Sequence, residues 1–249
     1  MYLGETRKNN KGSIMKIIKA NNVDDIYVEF QDDHRYVRQT TYGNFKNGCV
    51  SNPFYPTVCG IGYKGVGRFY TNHNCPEYVS WKDMLERCYS EKDKNEHQSY
   101  FGISKVCNEW LNYQAYADWY EKNKYDINER LHLDKDILFP GNKIYSPYHC
   151  LLVPQRINML FTNRTNDKGL PNGIRYTDSG KYSAKYGCIE LGKYSTLEEA
   201  YSIYSNAKEA KIKETADNYK DIIPKKLYDA LYNYKVIIEN DKNYKNTRK

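Results

Sequence analysis

Residues 131–161 constrain the fold of this chain more than any other part of its sequence. Two short apolar segments typical of β-strands flank a loop that contains turn-forming residues. Pro154 then stands where a helix begins, and Ile157, Leu160 and Phe161 give that helix an apolar stripe. The stretch therefore predicts a compact unit of strand, loop, strand and helix.

This layout resembles the HNH (ββα-metal) nucleases, and in particular the HNH-like proteins of bacteriophages. On that resemblance, the residue pair that ends the first strand falls on Asp134 and Lys135. The central loop position falls on His149, and the helix position falls on Asn158. Upstream, residues 81–110 are similar to the family's lead-in, with the order W..ML.RCY followed by Y.GI..VC..W.

The resemblance implies an endonuclease that cuts duplex DNA with Mg²⁺ or another divalent cation. Asp134 and Asn158 would be the metal ligands. The general-base position is Lys135, which is cationic at neutral pH and accepts no proton in that state. The candidate substitute bases are His149 and His132, of which His132 shares a strand face with Asp134. The nuclease site is thus either active through a substitute base or degenerate and without a cofactor.

Residues 172–194 predict three short strands, and Ser195 or Thr196 then caps a helix that has acidic residues in its first turn. The run L-G-x-Y-x-T-x-E-E-A at 191–200 resembles the Apetala2 (ethylene-response-factor) DNA-binding domain, in which three strands pack on one helix. In that family the sheet enters the major groove. The DNA-binding candidates carried over are Arg175, Tyr176, Lys181, Lys185 and Lys193. The alternative is a solvated sheet face without a ligand.

The remaining segments complete the predicted organisation. Helices are expected over 79–92 and 109–122, and a further helix over 227–238. Residues 59–72 are rich in glycine but lack the G-K-[ST] of a phosphate-binding loop, which favours a linker or a tight hairpin.

The predicted fold class is α+β, with a small N-terminal β module, a central ββα-metal-like unit with buttress helices, and a C-terminal three-stranded sheet packed on a helix. The predicted domains are an N-terminal β module (1–58), an HNH-like nuclease unit with a helical lead-in (73–161), and an Apetala2-like DNA-binding domain with a helical extension (172–235).

Charge and cysteine content limit the classes of function. The formal net charge of +7 permits contact with nucleic acid but does not require it. Seven cysteines without a C-x-x-C pair argue against a zinc knuckle or a disulfide framework and favour a reducing compartment. The sequence has no apolar signal core and no run of membrane-spanning length, so we expect the cytoplasm of a bacterial host and no membrane partner.

Three hypotheses follow for the function. The first is a phage protein similar to HNH homing endonucleases, which nicks or cleaves double-stranded DNA. The second is a catalytically inactive DNA binder, and the third is an antagonist of a host defence system that binds a host protein. The retained Asp134 and Asn158 favour the first hypothesis, whereas Lys135 favours the other two.

Overall fold

The computed structural model describes residues 2–96, 100–162 and 169–244. The chain is α+β, as predicted, with several small sheets and short helices. It divides into two compact units, Met1–Trp119 and Tyr120–Lys249. Within the described residues, no helix combines the length and the apolar character needed to cross a membrane.

The first unit begins with a four-stranded antiparallel sheet in the order β1-β2-β3-β4. Every second residue of β3 is buried, and Ile26, Val28 and Phe30 form a core with Met15 and Ile17 of β2. This alternation is the signature of a strand with one buried face. The strands are β1 (Thr6–Lys8), β2 (Ile14–Asn22), β3 (Asp25–Phe30) and β4 (Val37–Thr40), and helix α1 (Tyr42–Lys46) follows them.

Aromatic side chains form the core of the rest of the first unit. Trp81 is fully buried, and its indole N–H donates to the carbonyl oxygen of Trp110 over 2.7 Å. The predicted helix over 109–122 is divided at Asn112, whose side chain accepts a bond from the backbone N–H of Gln114. The elements are α2 (Pro76–Tyr89), β5 (Lys105–Val106), a 3₁₀ helix (Asn108–Leu111) and α3 (Tyr113–Asn123).

The second unit contains the predicted strand–loop–strand–helix arrangement, which we call the ββα unit (131–161). Its first and last strands pair antiparallel, with Leu133 opposite Leu152. Both of these leucines are buried, so one face of the pair belongs to the core. The elements are β6 (Leu131–Asp134), β7 (Ile144–Tyr145), β8 (Leu151–Pro154) and α4 (Gln155–Met159).

A three-stranded antiparallel sheet in the order β11-β10-β9 follows, with a long helix packed on one face. The helix begins with a capping box, in which the Thr196 hydroxyl accepts from the N–H of Glu199 and the Glu199 carboxylate accepts from the N–H of Thr196. The elements are β9 (Ile174–Tyr176), β10 (Tyr182–Tyr186), β11 (Ile189–Tyr194), α5 (Leu197–Asn218), α6 (Lys225–Tyr232) and a 3₁₀ helix (Ile238–Asn240).

Helix α5 contributes to two hydrophobic cores along its length. Its first half buries Ala200 and Tyr204 against the three-stranded sheet. Its second half places Ile212 in the core that contains Val153 and Ile157 of the ββα unit. One continuous helix therefore joins the ββα unit to the C-terminal sheet.

Candidate functional site

The first candidate site lies where β6 meets α4, at a contact between His132 and Asn158. The side-chain amide nitrogen of Asn158 is 3.2 Å from Nδ1 of His132. Both side chains are half-buried. Asp134 stands two residues beyond His132 on the same strand, so strand alternation directs the two side chains to the same face. A predicted base and a predicted metal ligand are thus in contact, and the second predicted ligand lies on the same face of β6 as the base.

The carboxyl group of Asp134 is held by the start of the loop that follows β6. Its Oδ1 accepts hydrogen bonds from the backbone N–H groups of Asp136, over 2.9 Å, and Ile137, over 2.7 Å. Burial raises the pKa of this carboxyl to about 6; the Ile137 N–H opposes that shift, and the Asp136 carboxylate adds to it. Ionising Asp134 therefore costs free energy in this environment, and a bound cation would stabilise the carboxylate.

Replacing Asp134 by asparagine is expected to stabilise the metal-free protein at neutral pH. An Asn Oδ1 can accept the same two backbone bonds without a charge. Because the folded-state pKa of about 6 lies above the ordinary value of 3.8, the carboxyl contributes stability below about pH 4, which is lost as pH rises through 6. Above that pH, the free energy of unfolding has fallen by about 3 kcal/mol through this group.

Urea unfolding in EDTA measures this effect. At about pH 7.5 the asparagine variant is expected to exceed the natural protein in unfolding free energy by about 1–3 kcal/mol. Near pH 4 the two proteins are expected to be equal. An advantage of the same size at both pH values would contradict an origin in the ionisation of Asp134.

Lys135, the predicted base position, is engaged inside the loop between β6 and β7. Its side chain is 4 % exposed, and its ammonium donates to Oδ2 of Asp136 and to the carbonyl oxygen of Asn142, each over 2.8 Å. The Asn142 amide donates in return to the carbonyl oxygen of Lys135 over 2.9 Å. Through these bonds Lys135 links the start of the loop to Asn142 near its end. Sequence reasoning treated Asn142 only as a turn residue and missed this partnership.

His149, the third catalytic candidate, is held by other loop residues. Its Nδ1 is 2.7 Å from the hydroxyl oxygen of Ser146. Its ring packs edge-on against Phe139 and Tyr148, with centroid distances of 5.2 and 5.1 Å. Tyr148 is 68 % exposed and stacks on Phe139, so the loop presents an aromatic surface to solvent. The sequence offered no signal for this pair beyond two aromatic residues in a loop.

The residues present fit Mg²⁺ better than a metal that requires a closed ligand set. In the described ranges, no three His, Cys, Asp or Glu side chains gather in a way that could hold an ion. Mg²⁺ needs fewer protein ligands, because it keeps several waters and shares its coordination between one or two carboxylates and substrate phosphates. Asp134 and Asn158 offer oxygen atoms of the appropriate kind.

The second candidate site is the face of the C-terminal sheet opposite α5. Ser183 on β10 lies in register with Arg175 on β9 and with Lys193 on β11. The next residue, Ala184, is fully buried beneath α5 together with Ile174, so the row of Ser183 points away from the helix. Arg175 and Lys193 are both exposed. We call this side of the sheet the outward face.

Two more of the DNA-binding candidates share the outward face by strand alternation. Lys185 stands two residues after Ser183 on β10, and Lys181 stands two residues before it, directly ahead of the first residue of the strand. Lys185 is in register with Glu190, the acidic residue on this face of the strands. On the strands themselves, three basic residues against one acidic residue, 3 − 1, leave this face with a charge of +2.

Tyr176 belongs to the other side of the sheet. It is in register with Tyr182. It stands two residues after Ile174 on β9, so both side chains lie on the side of the sheet that faces α5, where Ile174 is buried. Its ring packs edge-on against that of Tyr182 at 5.1 Å, although 61 % of the residue remains exposed at the end of β9. The structure therefore gathers four of the five predicted DNA-binding residues on one face and separates Tyr176 from them.

Comparison of the chain with known proteins finds no match among family models, curated proteins or solved structures. Functional assignment therefore depends on the residues and geometry described above.

Proposed function

We propose that the protein binds duplex DNA through the outward face of its C-terminal sheet. The observation that carries this proposal is the cross-strand row formed by Arg175, Ser183 and Lys193. Neighbouring strands are about 4.8 Å apart, so the row spans roughly 10 Å. That width suits a major groove of about 12 Å, which admits β-strands.

The chemistry of the row supports two kinds of contact. Arginine can bond in bidentate fashion to the O6 and N7 atoms of guanine, which makes Arg175 the candidate for base recognition. The lysines Lys181, Lys185 and Lys193 suit phosphates, because their ammonium groups are compact point charges on flexible stems. The proposed complex therefore combines one specific contact with several salt-sensitive contacts.

The logarithm of the duplex association constant is expected to fall linearly with the logarithm of the salt concentration, because phosphate contacts release counterions. Lys193→Ala should reduce the slope by about one unit, and Arg175→Ala should cost about 1–3 kcal/mol of affinity. Fluorescence anisotropy of a labelled duplex measures both effects. Lys220 is an exposed lysine in the turn that follows α5, and Lys220→Ala is the matched control. Affinity unaffected by salt, or equal losses in all three variants, would refute the proposal.

We further infer that the ββα unit nicks DNA in the manner of an HNH nuclease, with His132 as the base. The contact of His132 with Asn158, beside Asp134, favours this second function. The imidazole would accept a proton from the attacking water, since its ordinary pKa lies near neutrality. Asp134 and Asn158 would hold a divalent cation, which neutralises charge on the scissile phosphate when bound.

Relaxation of supercoiled plasmid in Mg²⁺, compared with the same reaction in EDTA, tests the second function. Metal-dependent nicking by the natural protein would support it. Duplex binding without nicking in either Mg²⁺ or Mn²⁺ would leave the protein as an inactive DNA binder.

A further inference from the structure

The first compact unit contains a cleft of about 560 Å³ beside the β module. Three cationic side chains line it, Lys11, Arg38 and Lys64, and its lining within the described residues includes no aspartate or glutamate. The guanidinium of Arg38 is positioned by hydrogen bonds to the carbonyl oxygen of Ser51 over 3.1 Å and to its hydroxyl over 2.8 Å. The neighbouring carboxylate of Asp32 lies outside the lining and is bonded to the Asn52 amide over 2.6 Å, so the charged groups that an entering anion would meet at the cleft surface are cationic.

Aromatic side chains line the same cleft. They are Tyr36, Tyr55, Phe69 and Tyr70. Tyr70 is 79 % exposed, so most of its ring is available to a ligand. Cations that follow phosphates, interleaved with rings on which bases stack, are the means by which proteins bind single-stranded nucleic acids. The volume also lies within the range of about 300–1,000 Å³ typical of ligand sites.

The wall that carries Lys64 and Tyr70 is fixed by two residues at the start of α3. The side chain of Gln114 accepts from the N–H of Phe69 over 3.0 Å and donates to the carbonyl oxygen of Phe69 over 2.9 Å. The hydroxyl of Tyr113 donates to the carbonyl oxygen of Tyr70 over 2.8 Å. The loop is thus ordered before any ligand arrives, which lowers the entropic cost of binding.

Two glycines allow this loop to lie so close to its support. A Cβ atom at Gly65 would stand 2.2 Å from Oδ1 of Asn112, and one at Gly67 would stand 2.3 Å from Oε1 of Gln114. A side chain at Gly67 would displace the Gln114 amide that holds the loop, and one at Gly65 would displace the Asn112 amide that accepts from the N–H of Gln114. Of the two predictions for segment 59–72, the tight hairpin is present at its start, where Val58 and Gly62 exchange backbone hydrogen bonds, and residues 64–71 form a packed wall of the cleft instead of a free linker.

We propose that this cleft binds a single strand of DNA, at a site distinct from the outward face. A base stacks on Tyr70, and the flanking phosphates contact Lys11, Arg38 and Lys64. The rings and cations specify a single-stranded nucleic acid, and the choice of DNA over RNA rests on the proposed function. A cleft with both stacking rings and phosphate-binding groups favours an unpaired strand over a duplex, whose bases are already stacked.

Fluorescence anisotropy of the full chain with a labelled oligodeoxythymidine strand tests the proposal. Tyr70→Ala combined with Lys64→Glu is expected to weaken binding at least about fivefold, the lower bound for losing one stacked base. Tyr70→Phe keeps the ring, and Lys92→Glu makes the same charge change on an exposed lysine that does not line the cleft. Both controls are expected to bind like the natural protein. Equal affinities for the double variant and Lys92→Glu would overturn the proposal.

A second comparison separates this site from the proposed duplex site. Arg175→Ala with Lys193→Ala is expected to weaken duplex binding and leave single-strand binding unchanged. If Arg175→Ala with Lys193→Ala abolishes single-strand binding, and Tyr70→Ala with Lys64→Glu leaves that binding intact, the cleft is not the site. Absence of duplex binding with cleft-dependent single-strand binding would refute only the duplex proposal. Tighter binding of a matched RNA strand would overturn the assignment to DNA.

Discussion

Replacing His132 by alanine is expected to slow Mg²⁺-dependent nicking of plasmid DNA by about 10²–10⁴-fold, the usual contribution of a general base. The 3.2 Å contact with Asn158 explains how the position of the proton on the imidazole ring would be set. The structure places the amide nitrogen of Asn158 at Nδ1; turning that amide by 180°, so that its oxygen accepts from Nδ1–H, leaves Nε2 a lone pair for a proton and the oxygen a second lone pair for a cation. The initial rate of supercoiled-plasmid relaxation, at equal amounts of bound DNA, measures the effect.

Matched variants distinguish catalysis from general damage. His73 is an exposed histidine of the first unit, so His73→Ala is expected to leave nicking unchanged. Asn158→Asp keeps an oxygen for both the ring and a cation, and it is expected to retain more activity than Asn158→Ala. If the natural protein nicks DNA and His132→Ala nicks equally well, the base lies elsewhere, and His149→Ala becomes the next variant to measure.

Exchanging Asp241 for alanine is expected to lower the free energy of unfolding of the second unit by about 2–4 kcal/mol. Asp241 is 7 % exposed and accepts from the backbone and side-chain N–H groups of Asn172 and from the N–H of Asn243, over 2.9–3.0 Å. Burial lowers the pKa of the Lys208 ammonium, and the negative charge of Asp241 opposes that shift. Alanine would leave both the donors and the buried lysine without this partner.

Urea unfolding, followed by circular dichroism, measures the loss. Asp229→Ala is the matched control, because Asp229 makes an exposed ion pair with Lys225 over 2.7 Å, with the side chains 47 % and 85 % exposed. Such surface pairs contribute at most about 1 kcal/mol. Comparable losses in the two variants would show that Asp241 does not anchor the end of the chain as its hydrogen bonds indicate.

Local patterns in the sequence were sufficient to predict several elements. The apolar segments around Leu133 and Leu152 predicted two strands, which pair in the structure. The acidic first turn after Thr196 predicted a helix start, which the capping box provides. In contrast, β1 (Thr6–Lys8) was not predicted, because all three of its residues are exposed and no apolar alternation marks it.

Tertiary packing decided the features that local patterns did not predict. Helix α6 ends at Tyr232 instead of continuing to residue 238, and Tyr234 and Val236 pack on the core beyond its end. Lys135 occupies the general-base position of the resembled family, but its ammonium donates to a carbonyl oxygen seven residues away. The wall of the cleft depends on Gln114, which is 45 residues beyond Phe69. Partners so distant in sequence leave no periodic signal.

The continuous helix α5 has a geometric consequence for the two DNA sites proposed above. Eight residues separate Tyr204, beneath the sheet, from Ile212, against the ββα unit, which corresponds to about 12 Å along the axis. Such a helix would fix the offset, and the rotational phase about the duplex, between base pairs bound by the sheet and a phosphate cut by the ββα unit, if both proposed functions hold. A single inserted residue would turn one end relative to the other by about 100°, so the two sites would have to evolve as one measured assembly.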